Sequence, residues 1–211
     1  MKFHSITLIT LAGLVSGAVA AATPDFYSGF HNLPTSVRVY HYKVPDKILE
    51  SLMLAAMQKA MQEGNSKEVQ AKKEGKHGAV SSNVNVFVLP QLYLFDRNGQ
   101  EIFARTAASN DLDALLDHAF SSPVPLRTGK PLRSWLSTLA PEGKSPAAKP
   151  QLTGTFTVLE YWAPWCEYCF VERDQLVNYF KKHSAVRVNW ITVDADFSKV
   201  VDTHSLSSPS P

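Results

Sequence analysis

Cys166 and Cys169 are the only thiols in a chain of 211 residues, and they lie two residues apart in the stretch "YWAPWCEYCF". Three chemistries suit such a pair. It can exchange disulfides with a partner, supply half of a metal site, or close a small structural staple. A zinc centre needs two further ligands, and His183 and His204 stand at spacings that do not suggest one. For the exchange reading the order of elements matters: a strand-like run at 155–162 comes before the pair and a helix starting near Cys166 follows it. A thiol at a helix N-terminus faces backbone N–H groups and the positive end of the helix dipole, which stabilise the reactive thiolate. Cys166 is then the nucleophile, and Cys169, one turn further in, is the resolving thiol. Trp165 would wall one side of the exposed Cys166 sulfur and offer an apolar contact to a partner polypeptide. Glu160 interrupts the apolar strand six residues before Cys166. A buried carboxyl there has a raised pKa and suits the proton that Cys169 must lose; at an edge it would merely be solvated.

The elements that must position these residues can be read from periodicity. The strand 155–162, "TFTVLEYW", is a near-continuous apolar run of the kind buried on both faces of a sheet. The helix runs to about residue 183 with Cys169, Phe170, Leu176, Val177 and Phe180 inward and Arg173 breaking the stripe, and "VRVNWITVDAD" is the next strand. Upstream, "SVRVYHY" at 36–42 alternates as a strand, with Val37, Val39 and His41 on one face and Arg38, Tyr40 and Tyr42 on the other. Pro45-Asp46 opens a helix whose apolar face is Leu49, Leu52, Met53, Ala56, Met57 and Ala60, and a polar stretch at 66–82 follows. Runs at 84–89 and 92–95 are rich in strand formers and are interrupted by Pro90. Asn98-Gly99 is a strong hairpin dipeptide, 101–104 is the returning strand, and "NDLDALLDHAF" is a helix capped by Asn110 or Asp111. Six prolines between 121 and 150 mark a linker around one short helical piece, "PLRSWLSTLAP".

Export sets the redox setting. A weakly basic start, an apolar run at 6–19 and an A-x-A site at Ala18–Ala20 fit a secretory leader at 1–20 better than a membrane span. The mature chain of about 190 residues is long enough to bury a core without staples. It is expected to be periplasmic or secreted, where disulfides persist, with no membrane span after leader cleavage. The net charge of +2, without a basic stripe, argues against nucleic acid.

With strand, tryptophan and acid all accompanying the cysteine spacing, "VLEYWAPWCEYC" resembles the active-site strand and motif of the thioredoxin superfamily, and "APWC" is especially similar to protein disulfide isomerase domains. The resemblance implies Cys166 and Cys169 as the redox pair, Trp165 as the residue before the nucleophile, and Glu160 as the buried acid. It implies thiol–disulfide exchange with protein partners and a redox partner protein, with no cofactor and no metal, since the dithiol is itself the redox group. Two departures stand out. Asp174 occupies the position where members often carry a helix-kinking proline. The family also places a cis-proline loop, hairpin and helix after this half, whereas here a similar half lies upstream, with Pro90 similar to the cis-proline that contacts substrate.

The fold class implied is α/β, a thioredoxin-like sheet flanked by helices. It is either circularly permuted, with Pro90 facing Cys166, or a degenerate thioredoxin-like domain followed by a partial one. The chain divides into the leader (1–20), a part without cysteines (25–122), the linker with its short helix (123–150), a part carrying the cysteine pair (151–203) and a low-complexity tail (204–211). Glu167 beside Cys166 disfavours its thiolate slightly, which suggests a reductase or isomerase-like role rather than a strong oxidase. The alternative is a thioredoxin-like binding or assembly module that keeps an inert disulfide.

Overall fold

The computed structural model describes residues 25–55, 58, 62, 88–106, 108–142, 150 and 155–198. The expected leader, the polar stretch at 66–82, the first part of the run at 84–89, the tail at 204–211 and the later apolar positions of the first helix (Ala56, Met57 and Ala60) lie outside these residues.

In chain order, a short 3-10 helix at Phe26–Phe30 is followed by β1 (Val37–Lys43), helix α1 (46–55), β2 (Gln91–Phe95), β3 (Glu101–Thr106), α2 (Leu112–Ser121) and α3 (Leu132–Leu136). Then come β4 (Ala140–Pro141), β5 (Phe156–Trp162), α4 (Glu167–Lys182) and β6 (Val188–Asp194). The strands form one mixed sheet in the order β3-β2-β5-β6-β1-β4. β6 is parallel to both β5 and β1, while β2 runs antiparallel to β5 and β3, and β4 antiparallel to β1. The strands upstream and downstream of the proline-rich segment therefore share one sheet.

Helices cover both faces. On one side α2 and α4 pack on Leu92, Leu94, Phe156, Val158 and Trp190. On the other, α1 and α3 pack on Phe95, Leu159, Tyr161, Ile191 and Val193. This explains why every residue of β5 is buried: a central strand covered on both faces has no solvent side on which to place polar residues. The same double cover accounts for β1, where Val37 packs on the α4 side and Tyr42 on the α1 side.

Two sequence expectations change in the detail. Leu52 was assigned to the inward stripe of α1, but it is exposed and Leu49 is the buried anchor, with Ile48 and Met53 beside it. The three-and-four spacing fits more than one face of so short a helix, and the sheet contact selects the face through Ile48 and Leu49. The hairpin is also longer than a two-residue turn. The Asp96 N–H donates to the Gln100 carbonyl and the Gly99 N–H to the Asp96 carbonyl, so the loop is Arg97-Asn98-Gly99. Gly99 takes φ 75°, the left-handed position of a three-residue loop, and the Asp96 carboxylate accepts from the N–H groups of Asn98 and Gln100.

The proline-rich segment is tied to the sheet by Glu101. Its carboxylate is buried and accepts from the Lys130 N–H and the Trp135 indole, and its carbonyl accepts from the Leu126 N–H. That contact lays α3 over the sheet and leads the chain into β4. No helix among the described residues is long and apolar enough to cross a membrane.

Candidate functional site

β5 ends at Trp162, and a tight turn at Ala163–Trp165 leads into α4, closed by the Cys166 N–H donating to the Ala163 carbonyl. Cys166 is the N-cap of α4, with extended backbone, and its sulfur accepts the Cys169 N–H at 3.2 Å. A cysteine placed there takes the role usually filled by Ser or Asp. Cys166 and Cys169 form a disulfide, with Cα atoms 5.3 Å apart. Both are enclosed: Cys166 is 6% exposed and Cys169 fully buried. Cys166 thus keeps only a small exposed surface in this disulfide state, because apolar side chains pack around the pair.

Those side chains belong to a cluster of Phe26, Trp162, Ala163, Cys166 and Cys169, with Leu89 and Phe170 packed against it. Phe26, from the 3-10 helix, stacks on Trp162 with ring centroids 4.0 Å apart. The helix lies across the site as a strap, and Arg173 holds it there. The Arg173 guanidinium donates to the Phe26 carbonyl at 2.6 Å and sits 5.3 Å over the rings of both Phe26 and Phe170. At Gly29 a Cβ would come within 2.4 Å of Arg173 Nε, so any larger residue must push the Arg173 side chain aside. Arg173, which breaks the apolar stripe in the sequence, is buried with its charge taken up by the Asp174 carboxylate, backbone carbonyls and aromatic faces.

Pro90 is buried and follows a cis peptide bond at Leu89–Pro90. Since Gln91 pairs with Tyr161, this step lies beside the end of β5 that leads to Cys166, and Leu89 packs on the disulfide cluster. Trp165 is 45% exposed, with its indole N–H donating to Asp196 at 3.2 Å and its ring against Phe197. Tyr168 and Val171 are exposed on the neighbouring outer surface of α4, so the enclosed disulfide has an apolar rim.

Beneath lies a charged core. Glu160 is fully buried on the face of β5 that α4 covers, and its Oε2 accepts the Trp190 indole N–H at 2.9 Å. Burial pushes its carboxyl well above the usual range, and the nearby Glu172 adds to the rise; Trp190 and Arg173 act in the opposite direction. Sequence reasoning missed Glu172, which is buried three residues after Cys169 and is ion-paired with Arg105 of β3. Burial raises its pKa to about 7 despite that cation. The available signal was spacing: Cys169, Glu172 and Leu176 share one helical face.

His183 cannot join the thiols. It caps the far end of α4, about 20 Å of helix rise from Cys169, with its Nδ1 near the Tyr179 carbonyl. Among the described residues no group of three or more His, Cys, Asp or Glu side chains is gathered as a metal cage requires. Chemically, the arrangement offers a disulfide at a helix N-terminus, a buried acid behind it and an apolar rim in front. Compared with protein families, with curated proteins and with solved structures, the chain matches none of them.

Proposed function

We propose that this chain is an exported thiol–disulfide oxidoreductase built on a circularly permuted thioredoxin-like sheet, acting on protein thiols or disulfides and more reductase- or isomerase-like than strongly oxidising. The observation that carries the reading is the Cys166–Cys169 disulfide at the N-terminus of α4 with the Glu160 carboxyl buried behind it. The place of Leu89–Pro90 beside the end of β5 supports it, because an upstream hairpin then fills the position that a downstream one has in the family the motif resembles.

In the reducing direction, the Cys166 thiolate attacks one sulfur of a partner disulfide. A mixed disulfide forms and the other partner sulfur leaves as thiolate, taking up a proton from solvent. Glu160 first releases its own proton to solvent, then takes the proton of Cys169, which attacks Cys166 Sγ. The partner's second sulfur leaves, and two electrons have passed from the dithiol to the partner. A dithiol reductase of the same compartment restores the reduced pair. The N-cap position stabilises Cys166 as thiolate both before attack and as leaving group. Exposed Glu167 in the first turn of α4 opposes that stabilisation slightly and supports the reducing direction.

A second reading, a binding module with an inert disulfide, is favoured by one observation: both sulfurs are enclosed. Titration in glutathione redox buffers, with trapping of Cys166 and Cys169 for mass spectrometry, separates the two. A reversible two-electron couple is the expected result. A bond that stays closed across the buffer range would establish the staple instead.

A further inference from the structure

We infer that Glu160 and Glu172 form one acid pair beneath the disulfide, with Arg105 holding the negative charge on Glu172 so that Glu160 is left as the proton-carrying member. This deepens the proposed exchange reaction and rests on it for its catalytic meaning, although the pairing is a property of the core and can be read separately.

The geometry is specific. Glu160 comes from β5, in the middle of the sheet, and faces α4; Glu172 comes from α4 and turns inward with Cys169 and Leu176. Neither carboxyl reaches solvent. Each uses one oxygen: Glu160 Oε2 for the Trp190 indole, Glu172 Oε2 for Arg105. Each leaves its Oε1 buried and without a partner among the described residues. Two half-satisfied carboxyls in one low-dielectric core cannot both ionise freely, because each charge raises the cost of the other.

The surrounding groups break the symmetry. From β3, Arg105 contacts Glu172, and its Nε and Nη1 have no partner among the described residues, so its ion pair there is with that one acid. From α4, Arg173 acts on Glu160 at longer range while its donors go to Asp174 and the strap carbonyls. From β6 come the neutral Trp190 and Thr192, and beyond Thr192 lies His41 of β1, whose Nδ1 is 2.9 Å from the Thr192 hydroxyl. The disulfide sulfurs carry no charge in this state. Among the described residues Arg105 is thus the one cation in direct contact with either acid, and it selects Glu172 as the member that ionises first. When Glu160 in turn gives up its proton it does so against a charge already present, which makes it a strong base toward Cys169. Glu172 is on this account a positioning residue: it sets the basicity of Glu160 without touching a reacting atom.

The test follows carboxyl carbon resonances of glutamate-labelled oxidised protein through a pH titration, with the Glu160 signal assigned by its loss in Glu160→Gln. In Glu172→Gln the Glu160 midpoint is expected to fall by about one pH unit or more, a tenfold or greater loss of proton affinity. Should the single variant not fold, Glu172→Gln combined with Arg105→Gln removes both charges together, and the midpoint must still fall. A Glu160 midpoint that stays put in the folded variant overturns the pair. The glutathione titration is run alongside. A shifted midpoint with an unreactive disulfide keeps the acid pair and defeats the exchange reading; a reversible couple with an unmoved midpoint does the reverse.

Discussion

A carboxyl with no exposed surface in the centre of a sheet opposes folding whenever it must ionise, and Glu160 and Glu172 both carry pKa values raised by burial. Between the unfolded carboxyl range near pH ~4.3 and the raised folded values, the folded state binds more protons than the unfolded chain. Stability therefore falls as pH rises through that window, which for Glu172 ends at about 7. Glu160→Gln removes one of the two contributions and keeps an acceptor for Trp190. Its melting temperature is expected to exceed that of the parent at pH 8 by a few degrees and to match it near pH 4, as calorimetry would read. On the proposed exchange reaction, the same variant leaves Cys169 without its base. Resolution of a mixed disulfide on Cys166 should slow by about 10²-fold, seen as accumulated adduct in acid-quenched reactions with a model disulfide peptide. Glu160 was legible in the sequence because every neighbour in its strand is apolar. Glu172 was not, since "EYCFVERDQ" mixes polar residues on every face of the helix and only the Arg105 contact, from a distant strand, shows which acid is inward.

Among the elements, the strap is the one from the start of the described chain that packs on the disulfide cluster. Phe26 is buried against Trp162, Arg173 clamps the strap's carbonyls, and Asp25 caps it through the Tyr27 N–H at 2.9 Å. The Tyr27 hydroxyl also donates to the Glu142 carboxylate beside β4. Gly29→Ala would force the Arg173 guanidinium aside, at a cost of about 1–3 kcal/mol, measurable as a lower urea midpoint. Phe26→Ala empties the space over Trp162 and should cost about 3–5 kcal/mol. It should also speed reduction of the disulfide by a small thiol, whereas an unchanged rate would place the barrier elsewhere. This element is not legible in the sequence because five residues are too few to show a periodicity. By contrast β5 and α4 stood out, one from an unbroken apolar run and the other from its stripe and the cysteine at its start.

At the scale of the molecule, one sheet joins strands from both halves of the chain. β5 and β6 have partners on both sides, β2 and β1, from the first half of the chain. A fragment beginning at residue 150 would expose two sheet edges and the apolar faces that α1, α2 and α3 cover. It is expected to show little fixed structure by circular dichroism and amide exchange, and to recover it on mixing with the 25–142 fragment. A fragment that folds alone would mean that the halves are independent. The choice between one sheet and two units could not be read from the sequence, because strand order depends on which edges meet and the hydrophobic patterns of β1 and β2 suit several neighbours. The strand order also bears on biosynthesis. Val37 pairs in register with Val188 and Lys43 with Asp194, so a strand that leaves the ribosome early has as its parallel partner one that is made late. Until β6 emerges, β1 offers an open hydrogen-bonding edge and the aromatic strap lacks Trp190 to rest on. Long-range pairing of this kind slows folding, and the β1–β6 ladder cannot close until residues 188–194 have been made.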